Sequence, residues 1–280
     1  MKKGISILFA TILSYGCLSL AALGQGSYKQ PPKAIMDVLN APAIPATSIS
    51  PARDKMALLT PLRYPPIADL AQPMLRLAGT RLNPNTNGPH LQGYSVSMTL
   101  KNIADARETV VAVPSGTKIS GVQWSPDGKH IAFGNVTPTG IELWIVDTAT
   151  AKTMKVKNVL LNTAFGGYSW ENSTTLSALL IPAGRGPAPA YQNVTPNEPS
   201  IQETTGRRGT VPTVQDLLKS ANDEKLYEYY ATSQLALIDL DGKVRNIGAP
   251  AIFNDASFSP DGKYVYTSRI RKPFSYIFPA

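Results

Sequence analysis

A five-residue turn written twice constrains this chain more than any other feature. Ser125-Pro126-Asp127-Gly128-Lys129 leads into His130-Ile131-Ala132-Phe133, and Ser259-Pro260-Asp261-Gly262-Lys263 leads into Tyr264-Val265-Tyr266. A third copy, Ser50-Pro51-Ala52-Arg53-Asp54-Lys55, precedes Met56-Ala57-Leu58-Leu59. A decayed fourth, Ser169-Trp170-Glu171-Asn172-Ser173, precedes Thr175-Leu176-Ser177-Ala178-Leu179. In each copy an apolar strand leaves the turn. Proline sets φ, and Asp-Gly accepts the positive φ of a tight reversal. The turn accounts for Asp127 and Asp261, which are read as hairpin formers rather than as catalytic or metal-binding carboxylates.

The copy that starts at Gly121 continues into a four-strand unit. Ile141–Asp147 reads as its third strand and Lys152–Lys157 as its fourth, with Met154 and Val156 alternating. Four strands in about 40 residues make one propeller blade. The same frame gives a first blade with strands at Lys55–Leu62, Tyr94–Ile103 and Glu108–Val113, with Tyr94, Val96, Met98 and Leu100 on one face. The third blade begins at Gly167 and adds Ser233–Leu240 and Lys243–Ile247. A fourth opens at Asp255 and reaches Lys263–Ile270. The expected fold is all-β: an incomplete β-propeller of about three and a half four-stranded blades with a small helical insertion. Closed rings of this type hold about 4–8 blades, so the sequence reads as a fragment or as one piece of a larger assembly.

Two insertions break the period, about residues 65–93 and 183–232. The second opens on a Pro/Gly-rich loop. It then shows helical spacing at Val214, Leu217, Leu218 and Ala221, and again at Leu226, Tyr229 and Tyr230, with Asn222 as a candidate cap of the second set. This apolar stripe is expected to pack on the propeller, with a partner surface or lid as the functional alternative.

Residues 1–24 read as a signal peptide: Lys2 and Lys3, an uncharged apolar run from Ile5 to Leu23, and a small-residue site at Ala22-Leu23-Gly24. Residues 25–46 are then a leader segment and 47–280 the partial propeller. The protein is expected to be exported, periplasmic or secreted, with no membrane span in the mature chain. Gly16-Cys17 gives the alternative of a lipid anchor at Cys17. Net charge is +8, falling to +6 without Lys2 and Lys3. The charges are scattered, with no basic and aromatic stripe, so no nucleic-acid partner is expected.

The chain carries no recognisable catalytic, cofactor-binding or metal-binding residues. No Gly-x-Ser-x-Gly elbow occurs. His90 lies in a Gly-Pro loop without an identifiable partner. His130 alternates with Ile131 and is expected on a strand surface. The glycines around Arg185 lack the spacing of a phosphate loop. By itself the chain is expected to be non-catalytic.

Ser-Pro-Asp-Gly-Lys hairpins in an exported propeller resemble the prolyl oligopeptidase family of serine peptidases, and also the TolB-type propellers, which act as protein–protein scaffolds. The opening segment Pro31-Pro32 to Ala41-Pro42 is similar to the peptidases. Pro65-Pro66-Ile67-Ala68-Asp69-Leu70-Ala71, Leu77-Ala78-Gly79-Thr80-Arg81, Asp216-Leu217-Leu218-Lys219, Tyr229-Tyr230-Ala231-Thr232-Ser233-Gln234-Leu235 and Pro273-Phe274-Ser275-Tyr276 resemble the glutamyl endopeptidase branch. The resemblance implies a propeller that gates or orients peptide substrates for a C-terminal α/β-hydrolase domain. That domain, with its Ser, Asp and His, is not in this sequence. A glutamyl preference also implies cations near the substrate's acidic side chain; Arg207, Arg208 and Arg271 are candidates, with ordinary surface charge as the alternative.

Overall fold

A computed structural model describes residues 29–191, 206 and 214–279. The expected signal peptide, Cys17, Arg207 and Arg208 lie outside the described residues. Two compact units divide the chain at Pro42. In the first, Pro32 opens a short helix α1 (Lys33–Leu39), as proline without an amide N–H can, and Lys33 pairs with Asp37 one turn on.

The second unit is built from antiparallel β-meanders. Strands β1 (Ala46–Ile49) and β2 (Lys55–Pro61) begin the first. An insertion follows, with helix α2 (Ile67–Leu70) and strands β3 (Leu75–Leu77), β4 (Thr80–Asn83) and β5 (Gly88–Pro89). Strands β6 (Ser95–Asn102) and β7 (Glu108–Val110) complete the order β1-β2-β6-β7. The second meander is β8 (Ile119–Trp124), β9 (His130–Thr137), β10 (Gly140–Asp147) and β11 (Thr153–Lys155). The third is β12 (Tyr168–Trp170), β13 (Thr175–Leu180), β14 (Thr232–Asp239) and β15 (Val244–Asn246), with helix α3 (Ala221–Ala231) directly before β14. Strands β16 (Ala251–Phe258) and β17 (Val265–Arg269) form a half-blade. The all-β fold of three four-stranded blades and a half agrees with the expectation. The fourth blade opens at Ala251 rather than Asp255, because Ala251 and Ile252 pair with Ser233 and Thr232 of β14.

Period-two alternation places the core on both faces of the second blade. Ile131 and Phe133 of β9 join Ala57, Met98, Leu100 and Val146 in a core shared with the first blade. Ala132, between them, faces the other way and joins Ile141, Leu143 and Ile145, which pack on Leu176, Ala178, Ala236 and Ile238 of the third. Strands buried on both faces read as near-continuous apolar runs, as Ile131-Ala132-Phe133 does. Of the face expected in β6, Met98 and Leu100 are buried, while Val96 is exposed.

The repeated turns close with one hydrogen-bond pattern. Ser125 Oγ donates to Asp127 Oδ1 at 2.7 Å, the Lys129 amide donates to the same oxygen at 3.1 Å, and the His130 amide donates to Ser125 Oγ at 2.9 Å. Ser259, Asp261, Lys263 and Tyr264 repeat it at 2.6, 3.1 and 3.0 Å. Gly128 and Gly262 sit at φ of +71° and +66°. In the third copy Ser50 Oγ donates to Asp54 instead, and Arg53 takes the positive φ at 57°. The serine hydroxyls hold the Asp54, Asp127 and Asp261 carboxyls below the usual aspartate range. Asp127→Ala is expected to cost about 1–2 kcal/mol in urea denaturation, since two donors lose their acceptor.

The helical stripe is realised only in part. Residues 214–219 are not helical, and Asp216 has φ of +62°. Helix α3 starts at Ala221, and its N-cap is Ser220, whose Oγ accepts from the Asp223 amide; Asn222 lies inside the first turn. Ser220, two positions before Asn222, offers a side-chain acceptor with the right reach.

Candidate functional site

The two insertions form one body on the propeller. Leu75, Leu77 and Leu82 from the first, and Leu218, Leu226, Tyr227 and Tyr230 from the second, share a core with Ile252 and Phe274. Asp216 clasps the first insertion: its carboxylate accepts from Arg81 Nε at 2.6 Å and lies 3.5 Å from Arg76 Nε, and its carbonyl accepts from the Gly79 amide. The stripe is therefore packing, as expected, but much of what it packs on is the other insertion.

Beneath this body a buried polar hub joins four segments. Asn162 Nδ2 donates to the Tyr230 carbonyl at 2.7 Å and to Ser233 Oγ at 2.9 Å, and its Oδ1 accepts from Asn87 Nδ2 at 2.7 Å. Arg185 Nη1 donates to Asn87 Oδ1 at 2.6 Å, with its guanidinium 4.1 Å from the Tyr229 ring centre. Asn87, Asn162 and Ser233 are almost fully buried. Buried amides keep their place only when their donors and acceptors are satisfied, and here they satisfy one another.

Beside the first insertion lies a cleft of about 860 Å³, within the range of small-molecule and peptide sites. Its floor comes from β8, the end of β9 and the start of β6; its lip is α2 and the loop from Pro89 to Gly93. Proline at 65, 66 and 73 isolates α2, and Ile67 and Leu70 on it are exposed. One ionic tether holds α2 to the strands. Lys118 Nζ lies 2.7 and 2.9 Å from the two Asp69 carboxylate oxygens, and Tyr94 Oη donates to Asp69 Oδ2 at 2.6 Å. The Lys118 ammonium also sits 4.8 Å from the Tyr94 ring centre. Lys118 foremost, then Tyr94, holds the Asp69 carboxyl below its ordinary range, while burial and the carboxylate push the Tyr94 phenol up to about 12.

A pH dependence follows. Asp69 is depressed in the folded state, so its contribution is complete above the unfolded aspartate value of about 3.9 and is lost as pH falls through the lower folded value. Asp69→Asn should reproduce the acid effect at neutral pH. The expected result is a loss of about 1–2 kcal/mol of local stability and roughly ten-fold faster amide exchange across residues 67–72, with the strands unchanged.

The histidines differ from expectation. His90 has a partner: its Nε2 lies 3.1 Å from the Gln72 carbonyl, a contact that crosses the insertion and leaves no sequence signal. His130 is half-buried, with its ring 6.4 Å from Trp170 and its Nδ1 sealed from solvent without a partner, because β12 of the next blade covers the strand surface. Arg271 lines a shallow groove with Arg269 and Lys272, the last paired with Glu224 and Glu228. Among the described residues no three His, Cys, Asp or Glu converge as metal ligands, and no helix is long and apolar enough to cross a membrane. The Asp69–Lys118–Tyr94 cluster escaped sequence reasoning, since its members lie 25 and 49 residues apart with no period linking them.

No protein-family model matches the chain. It is 37% identical over 277 residues to a probable glutamyl endopeptidase, chloroplastic, of Oryza sativa subsp. japonica, which covers 94% of this chain and 29% of the relative. It is 35% identical over 271 residues to the protein of the same name from Arabidopsis thaliana, covering 92% and 28%. The chain thus spans less than a third of the length of the curated relatives it matches. Among solved structures, Pyrococcus horikoshii acylaminoacyl peptidase aligns over 85% of this chain and 29% of that one, at 14% identity and a TM-score of 0.41, too loose a likeness to carry an argument. Sequence identity runs nearly end to end through blades and insertions alike, so the chain is homologous to part of the proteins named probable glutamyl endopeptidase.

Proposed function

We propose that these 280 residues are the propeller portion of an exported serine endopeptidase, and that they gate or orient peptide substrates for an α/β-hydrolase domain outside this stretch of sequence. The catalytic Ser, Asp and His belong to that domain. The observation that carries the reading is the 37% identity to a probable glutamyl endopeptidase over 94% of the chain. Support comes from the joined insertions and the cleft beside them, since long insertions on a rigid scaffold are where binding concentrates. The N-terminal charge and apolar run support a periplasmic or secreted location after cleavage behind Gly24.

The test is product analysis with the protein purified from its own cells. Digestion of an unfolded protein should give peptides ending in glutamate, and the purified chain should begin at Gln25. No cleavage would contradict the peptidase reading, cleavage without residue preference would contradict the glutamyl preference, and an intact Met1 would contradict export.

A further inference from the structure

We infer that the inserted segments are a fixed brace that staples the first blade to the fourth, and that this face of the propeller is open over the second blade, where the brace has no member. The strand order places the parts. In each blade a Ser-Pro-Asp-Gly hairpin or its variant joins the first strand to the second, so these turns lie at one end of the strands. Because the strands are antiparallel, the second-to-third connections lie at the opposite end. Both insertions are such connections, the first between β2 and β6 and the second between β13 and β14. Residues 270–279 leave β17 at the same place in the half-blade. The second blade makes this connection short, at Thr137–Gly140 between β9 and β10.

The three long segments meet one another. Leu77 and Leu82 from the first blade's insertion, Tyr227 from the third's, and Ile252 and Phe274 from the fourth blade share one core. Polar contacts repeat each join. Arg81 reaches Asp216 at 2.6 Å, Lys272 reaches Glu228 at 2.9 Å, and Tyr276 Oη donates to Glu224 at 3.0 Å. Pro279 completes the circuit from the fourth blade back to the first. A Cβ on Gly79 would stand 2.8 Å from Pro279 Cβ, so the crossing needs glycine there. Neighbouring blades are joined side by side, first to second and second to third through shared cores, and third to fourth by two residue pairs of β14 and β16. An arc held between neighbours can flex along its length, whereas a chord packed at both ends holds it rigid. Over the second blade the chord has no segment, and the cleft under α2 opens there, with Pro138 of the short turn on its wall. The inference rests on the peptidase reading only for what passes that opening.

The test uses the full gene product from its native cells. Phe274→Ala, in the fourth blade, should speed amide exchange roughly ten-fold in β3 and β4 of the first and leave β9 and β10 unchanged. Gly79→Ala is the milder converse: a change in the first blade should speed chymotrypsin cleavage after Tyr276, in the fourth, about ten-fold. Effects confined to the substituted blade would overturn the brace. Glu228→Cys with Lys272→Cys, joined by a short bifunctional thiol reagent, locks residues 270–279 to α3. Cutting of an internally quenched octapeptide with one glutamate should then stay within about two-fold of the single-cysteine controls. A loss of about ten-fold or more on locking would make the body a moving gate and overturn the brace. A bulky maleimide on Thr139→Cys, exposed in the short turn, should slow the same cutting about ten-fold, and full activity would overturn the opening over the second blade. Coupled exchange in a protein that neither cuts the peptide nor takes a serine-reactive label would keep the brace and sink the peptidase reading. A labelled, active protein without that coupling would do the reverse.

Discussion

Asn162→Ala is expected to cost about 3–5 kcal/mol, among the largest losses any single substitution in this chain should produce. Three short hydrogen bonds end on this side chain, to the Tyr230 carbonyl, to Ser233 Oγ and to Asn87. Truncation deletes all three and leaves a cavity in a buried site, where the Asn87 amide and the Tyr230 carbonyl keep only the 3.0 Å bond between them. Ser233→Ala removes one of the bonds and should cost about 1 kcal/mol. Equilibrium urea denaturation of the two variants separates the cases. A loss below about 1 kcal/mol for Asn162→Ala would mean that water enters the hub and replaces the amide.

The second large effect belongs to the core of the insertions. Tyr227 is 1% exposed, with its ring 5.5 Å from Phe165 and 5.0 Å from Phe274, edge to face with both. Burial pushes its phenol up to about 12. Tyr227→Ala is expected to cost about 3–5 kcal/mol through lost contact and the cavity that remains. The hydroxyl makes no hydrogen bond among the described residues, so Tyr227→Phe should stay within about 1 kcal/mol of the wild type. The alanine variant should also loosen the clasp at Asp216, read as faster proteolysis between 214 and 220. If proteolysis there is unchanged while global stability falls, the two insertions do not move as one body.

These effects show which parts of the structure the residue pattern could reveal. Ser125 to Lys129 and Ser259 to Lys263 are local: serine, aspartate and glycine within five positions meet their own partners, so the hairpins were legible and the blades followed from their spacing. The strand runs were legible because alternation such as Ile131-Ala132-Phe133 is set by the pleat. The hub was not. Asn87, Asn162 and Ser233 lie 75 and 71 residues apart, and an asparagine reads the same whether it ends in solvent or in a core. The tether of Asp69 to Lys118 was illegible for the same reason. The cap of α3 was missed by two positions, because Ser220 and Asn222 are both good caps and only the backbone path decides between them.

The joined insertions also give the gating reading a physical form. Cores shared by adjacent blades make the propeller a rigid base. Among the described residues the body above it is held by the buried hub, the clasp at Asp216, the pairs of Lys272 with Glu224 and Glu228, and the aromatic cluster around Tyr227. The lip of the cleft has a single ionic tether, at Asp69. Stability therefore falls from the blades to α2, and elements that admit a ligand are drawn from that weaker end.

In the proposed function these residues are the propeller part of a serine peptidase. Labelling of the native protein in its own cells with a serine-reactive fluorophosphonate, read against its mass, is the decisive test. A labelled species far larger than 30.0 kDa, with peptides of this sequence in its digest, is the predicted result. An unlabelled species near 30.0 kDa would contradict it and leave a propeller that acts as a binding scaffold.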